Sequence, residues 1–480
     1  MELAIRQLVE AKPSTVGAAI LALVLWCASL GMIASGVADL RSGASQRPSP
    51  RQGSVLNPVT LPVAYASSSD ECAGHAHSLT AAAFNTLAEQ LGEAQAPRLA
   101  LWVTASVVSQ DGLLTTLASS AAQRAQELGA DLVVYGVLEC ASQSLNVSYF
   151  LYVAPSALRT EGNLAGAYRL HTWVQPKGAS PSAETDRAME AAALIARGLR
   201  HYMLGSYDDA LSAASAFEAA LRSSVVADLQ LRALLSHMVG NAYVQASVRS
   251  CAETTRRALL QTAEGFYLRA IDNAPRLANA HLMLGRLYAE LAPVDAEASE
   301  VDRWLARGET HFLHALNARP QPDLWGIEMR VMVGRAHARL IEHHARGFSG
   351  EQSPSLAAGD LLLQSALGQY RALPETNREA LREEAARSYL LLSQISKARG
   401  WRQGAIDALW LAESLAAETE TRATAASALA EALTADGDLC VAAAKALIAT
   451  QMRCEPARVS LAERAQTLHL QCRLRQDQAR

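Results

Sequence analysis

The sequence predicts a mainly α-helical chain in three parts: an N-terminal transmembrane helix, a small α/β domain, and an α-solenoid of helical hairpins. Three observations carry that expectation. The 26 residues from Pro13 to Ala38 hold no charged side chain. Two β-rich runs stand close together within residues 131–153. After residue 187, glycine, aromatic, alanine and proline residues recur at spacings suited to stacked antiparallel helices. The expected divisions are 1–40 for tail and anchor, 41–79 for a linker, 80–178 for the α/β domain, 187–456 for the repeats and 457–480 for a capping helix.

A length of 480 residues is enough for two to four domains with a sizeable core. The net charge of −4 and a pI near 6.3 exclude a generally basic nucleic-acid binder. Seven cysteines are too few for a disulfide scaffold, and none forms a C-x-x-C pair. They are expected as isolated buried thiols, with a bridge among Cys440, Cys454 and Cys472 as the alternative if the body lies outside the membrane.

The charge-free run exceeds the roughly 20 residues a helix needs to cross a bilayer. It also exceeds the ~7–15 residues of a signal-peptide core, so a retained anchor is favoured over cleavage after Gly36-Val37-Ala38. Arg6 and Lys12 before the span nearly balance Arg41, Arg47 and Arg51 after it. The short leading tail and long body therefore decide the orientation, which places the body on the extracytoplasmic side. Residues 41–69, rich in Ser, Pro and Gly, read as a flexible tether.

The α/β domain opens with a helix carrying Phe84, Leu87 and Leu91 at helical spacing, then a strand from Leu99 to Ala105. A helix from Leu113 to Leu128 is stopped by Gly129. Strands at Asp131–Leu138 and Leu145–Val153 flank a turn at Ala141–Ser144. Over residues 80–155 this pattern resembles the TolB amino-terminal-type domain. No G-x-G-x-x-G or Walker loop follows its strands, so a packing or recognition module is expected rather than a phosphate site.

The repeats are anchored on Leu284-Gly285-Arg-Leu-Tyr288, which follows His281. Ala263, Tyr267 and Ala270, closing at Pro275, supply the second half of the preceding unit. Phe312 and Ala315, closing at Pro320, repeat that half with Gly308 in the alanine slot. Gly240 with Tyr243, and Gly334 with His337, repeat the first half on either side. Upstream, Gly198 and Gly205 lead into Tyr207 and Ala210; downstream, Gly400 leads into Ala405 and Gly437 into Ala442. Small residues let two helices approach, large rings fill the space beside them, and proline ends the second helix. These residues resemble tetratricopeptide repeats across roughly 187–455, and the resemblance implies a concave helix-lined surface that docks a protein partner. The 23-residue intervals from Gly240 to Ala263 and from Gly285 to Gly308 predict lengthened helices. Residues 341–357 read as an exposed tip.

Chemistry has little support. Cys72-x-x-His75-x-His77 gathers metal-binding residue types but has no second cluster, so no metal site is predicted. His311 and His314 read as surface or interhelix residues, and His337, His343 and His344 as a solvated face. Glu383 and Glu384 read as surface partners of Arg382 and Arg387. No nucleophile elbow is present. The expected protein is a non-enzymatic, membrane-anchored scaffold or adaptor. It takes an unidentified protein partner, with no cofactor, nucleic acid or small molecule. The alternative is a membrane sensor whose α/β domain binds a small ligand and signals through the repeats.

Overall fold

The computed structural model describes residues 58–60, 64–65, 70–92, 98–99, 110–176, 183–250, 252–292, 297–318, 326–347, 353–449 and 455–479. No helix among these is long and apolar enough to cross a membrane. The apolar run 13–38 and most of the expected tether lie outside the described residues, as does most of the strand expected at 99–105.

The first part is a mixed sheet. Its elements are β1 (Pro58–Thr60), β2 (Ala64–Tyr65), α1 (Asp70–Leu91), β3 (Arg98–Leu99) and α2 (Gln110–Leu128). They continue with β4 (Leu132–Cys140), β5 (Ser144–Val153), a 3₁₀ segment (Pro155–Leu164) and β6 (Gly166–Pro176). The strand order is β3-β1-β4-β5-β6, with β2 also on β4. β1 runs parallel to β3 and β4, while β4, β5 and β6 form an antiparallel meander. β5 buries every second residue from Leu145 to Val153, the period-2 pattern of a strand with one covered face. On edge strand β6, Tyr149 faces His171 and Phe150 faces Arg169, so Leu170 is the additional residue of a bulge. A bulge twists an edge away from flat pairing with another chain.

The start of this domain differs from the expected boundary at 80. β1, β2 and the first turns of α1 come from the segment read as a linker. Proline is tolerated at the first residue of a short strand, so Pro58 opens β1 without removing a ladder donor from its interior. A disulfide joins Cys72 of α1 to Cys140 at the end of β4, across 68 residues. This corrects the expectation of isolated thiols. The two cysteines meet only because α1 lies across the sheet, a tertiary fact with no local signal.

Consecutive packed helix pairs follow, consistent with a helical repeat. They are α3 (Ala183–Leu204) with α4 (Tyr207–Arg222), α5 (Leu229–Arg249) with α6 (Glu253–Asn273), and α7 (Ala278–Leu291) with α8 (Ala298–Ala318). Next come α9 (Ile327–Ala345) with α10 (Pro354–Ala372), the short α11 (Glu375–Ala380), and α12 (Arg382–Ala398) with α13 (Arg402–Leu415). The last pair is α14 (Thr419–Asp436) with α15 (Leu439–Ala449), followed by α16 (Glu455–Ala479). Local signals set the ends. Gly205 closes α3 at φ +70°, and the adjacent Ser206 accepts the Asp209 N–H to start α4. Asp228 starts α5 and Ser353 starts α10 in the same way. Helices α5, α6 and α8 each run 21 residues against 14 in α7, so the longer intervals are spent on extra helical turns. At the expected tip, 341–357, α9 runs through Ala345 and α10 begins at Pro354, while 348–352 lie outside the described residues.

The sheet and the first hairpins share one core. Leu79, Leu87, Leu132, Leu145 and Tyr149 are continuous with Ala192, Ile195, Phe217 and Leu235. Tyr149 donates its hydroxyl to the Leu79 carbonyl (3.2 Å), and Thr86 donates to Asp186 (2.7 Å), tying α1 to α3.

At the far end, Cys440 of α15 is bridged to Cys472 of α16, 32 residues on. This is one of the pairings the sequence left open. α16 is otherwise seated through Ala465, Leu468 and Leu461. Closing a loop of that size removes roughly 4 kcal/mol of unfolded-chain entropy in the simple polymer account. Cys472→Ser should therefore lower hydrogen-exchange protection in α15 and α16 and leave α3 and α4 unchanged. Equal protection in both forms would mean that α16 is held by its apolar contacts alone.

Candidate docking cleft

Glycine seats bring the helices of the hairpins into close contact. A Cβ on Gly198 would lie 2.5 Å from the Phe217 ring, one on Gly240 2.5 Å from Tyr267, and one on Gly285 2.5 Å from Phe312. A Cβ on Gly334 would lie 2.6 Å from the same Phe312 ring, and one on Gly308 would meet the Gly285 carbonyl at 2.9 Å. Three successive hairpins thus lodge a ring against a bare stretch of the partner helix. Ala210, Ala270, Ala315, Ala405 and Ala442 are all buried. Tyr288 is buried and donates to Glu264 (2.9 Å); Tyr243 is half-buried and donates to Glu218 (2.7 Å). Tyr207, the first residue of α4, is half-buried. Gly400 and Gly437 do something else: they close α12 and α14 at φ +78° and +85°, and no atom crowds a Cβ at Gly400.

The first helices of successive hairpins line a cleft of about 400 Å³. α5 contributes Asn241, Gln245 and Arg249; α7 contributes Leu282, Arg286 and Glu290. α9 supplies Arg330, Val333 and His337, α12 supplies Glu384, Arg387 and Gln394, and α14 adds Thr421 and Thr424. Packing and cleft are linked at Asn241, whose amide oxygen accepts from the buried Tyr267 hydroxyl (2.7 Å). Guanidinium and amide donors thus stand beside apolar wall, a mixture that can hold a polypeptide by its carbonyls and its apolar side chains.

Two carboxylates organise this wall, and both correct the sequence reading. Glu383 and Glu384 are buried, at 4% and 1% exposure, rather than solvated. Glu383 accepts the Ala417 and Glu418 N–H groups (both 2.9 Å) and the Thr421 hydroxyl, capping the start of α14. Glu384 accepts from Arg286, an ion pair that joins α7 to α12. Burial alone would raise the Glu384 carboxyl, but Arg286, Arg387 and Arg330 outweigh it and hold it below the usual carboxylate range. Burial lowers His337, with Arg286 adding to that and Glu290 opposing it. The i,i+4 pairing of Glu383 with Arg387 exists at 3.4 Å. That pattern alone did not reveal that the first turn of α12 points inward.

His343 is likewise buried and bonded to Ser353 (3.0 Å), not part of a solvated face; His344 is exposed. Among the described residues no group of three or more His, Cys, Asp or Glu side chains is arranged to hold a metal ion. The thiol of the Cys72, His75, His77 motif is consumed by its disulfide. Compared with known proteins, the chain matches no family model and no curated protein sequence.

Proposed function

We propose that the protein is a membrane-anchored scaffold whose helical array, of tetratricopeptide-repeat type, docks a partner polypeptide in the cleft. The observation that carries this reading is the cleft itself. One helix from each of five successive hairpins lines it, and both polar and apolar side chains stand in its wall, the mixture a polypeptide needs for its carbonyls and its side chains. Anchoring rests on the charge-free run from Pro13 to Ala38. The two disulfides support an extracytoplasmic body, because such bonds persist in oxidising compartments. A scaffold is favoured over a ligand sensor by the α/β core, where the faces between α1 and the sheet are filled by Leu79, Leu87, Leu132 and Leu151.

Gln394 is exposed and lines the cleft, so Gln394→Trp should fill it without disturbing the fold. Leu361 is 71% exposed and lies outside the cleft, which makes Leu361→Trp the control. Affinity capture from solubilised native membranes should return a partner with the wild type and the control that is lost with Gln394→Trp. Equal capture by all three would reject the cleft as the docking site.

A further inference from the structure

Three histidines meet between α7 and α8. His281 is buried, His311 half-buried and His314 exposed. The Nδ1 atoms of His281 and His311 are 3.0 Å apart, and the His314 ring stacks on His281 at 5.1 Å. His281 Nε2 lies 3.1 Å from the Pro275 carbonyl, which can only accept, so that nitrogen carries the proton. His281 Nδ1 is then the acceptor and His311 Nδ1 the donor. The arrangement requires a neutral His281, since a second proton there would set two N–H groups against each other at 3.0 Å.

The surroundings oppose charge as well. Arg307, on α8, is the fixed cation that faces His311, and it also lies over the Tyr288 ring at 4.4 Å. Glu264 of α6 is engaged by the Tyr288 hydroxyl and by Arg307 (3.5 Å). α9 meets this hairpin through apolar Ile327 and Val331, and its Arg335 is paired with Glu309 of α8. Burial lowers His281, with the Pro275 carbonyl opposing and His314 adding to it. Burial, then His281, His314 and Arg307, brings His311 down to about 4.

We propose that the His281–His311–His314 cluster is an acid-operated release between α7 and α8. Leu282, the residue after His281, and Arg286, five residues on from that histidine, line the cleft from α7, so the same release loosens the cleft wall. The direction follows from linkage. The unfolded chain protonates His311 near the ordinary histidine value of 6.5, whereas the folded hairpin resists that proton until about 4. Stability is therefore fully present above 6.5 and is lost as the pH falls through that window. The α3–α4 hairpin is built differently, because there His201 is bonded to a carboxylate, Asp209 (2.9 Å), and not to a second imidazole.

The test is hydrogen exchange on the full chain, read as protection factors so that the intrinsic pH dependence cancels. Moving one histidine from 6.5 to about 4 shifts the local opening equilibrium about 20-fold between pH 7 and pH 5. Protection across α7 and α8 should fall by that further factor relative to α3 and α4. His311→Gln should remove most of the extra fall. Should that variant not fold, Arg307→Gln serves instead: it removes the cation facing His311, raises the histidine's folded value and shrinks the fall. A uniform loss across all hairpins, or an undiminished fall in the variant that folds, would overturn the proposal.

Discussion

Gly285→Leu should unpick the middle of the array while leaving the sheet intact. The first carbon added would stand 2.5 Å from the Phe312 ring, and the rest of the leucine would follow it into the same space. Phe312 is hemmed in as well by the next hairpin, where a Cβ on Gly334 would lie 2.6 Å from the same ring. Overpacking of this kind typically costs about 1–3 kcal/mol. Because each hairpin rests chiefly on its neighbours, the loss should stay local. Hydrogen exchange should show protection lost across residues 263–318 and little changed across 132–153. The double variant Gly285→Ala, Phe312→Leu should recover much of it by trading ring for methyl. Unchanged protection around Tyr288 in the single variant would sink the argument.

The second large effect is expected from Glu384→Gln. The side chain is 2% exposed, and Arg286, Arg387 and Arg330 all act on its charge. Taking the charge away leaves guanidinium groups facing a neutral amide in a desolvated wall, and breaking one side of a buried ion pair costs about 3–5 kcal/mol. Urea unfolding should show a lowered midpoint with an unchanged slope. Since the folded carboxyl is held below its usual value, its contribution is complete above about 4.5 and disappears as the pH falls through the folded value. This acid limb begins only near 4.5, where most of the histidine loss is already complete, so the two losses should separate in a pH series. A midpoint within experimental error of the wild type would mean that the three arginines are satisfied without Glu384.

What could be read from the sequence was what is local. Phe217 lies 19 residues after Gly198, and Tyr267 and Phe312 each lie 27 after Gly240 and Gly285. These rings return to their glycines because one hairpin suffices to bring them there. The helix stop at Gly129 and the turn between β4 and β5 are local in the same sense. Glu384 is different: its partner Arg286 lies 98 residues away, and only the stacking of intervening hairpins makes them neighbours. On a bare helix, Glu383 and Glu384 beside Arg387 look like a solvated face, since charge spacing carries no information about which side the next hairpin covers. Cys72 with Cys140, and β1 with β4, were hidden for the same reason.

The shared core at one terminus and the bridged helix at the other bear on assembly. A stack of hairpins ends in bare faces that suit a neighbour of the same kind, and such faces let copies join head to tail into open filaments. In this chain α3 is met by α1, through Thr86 and Asp186, before any second copy could reach that surface. α15 is met by α16 and locked there by Cys440–Cys472. Each end of the described array is thereby covered by an element outside the hairpin pattern, and the hairpins between these covers set the length of the surface proposed for docking.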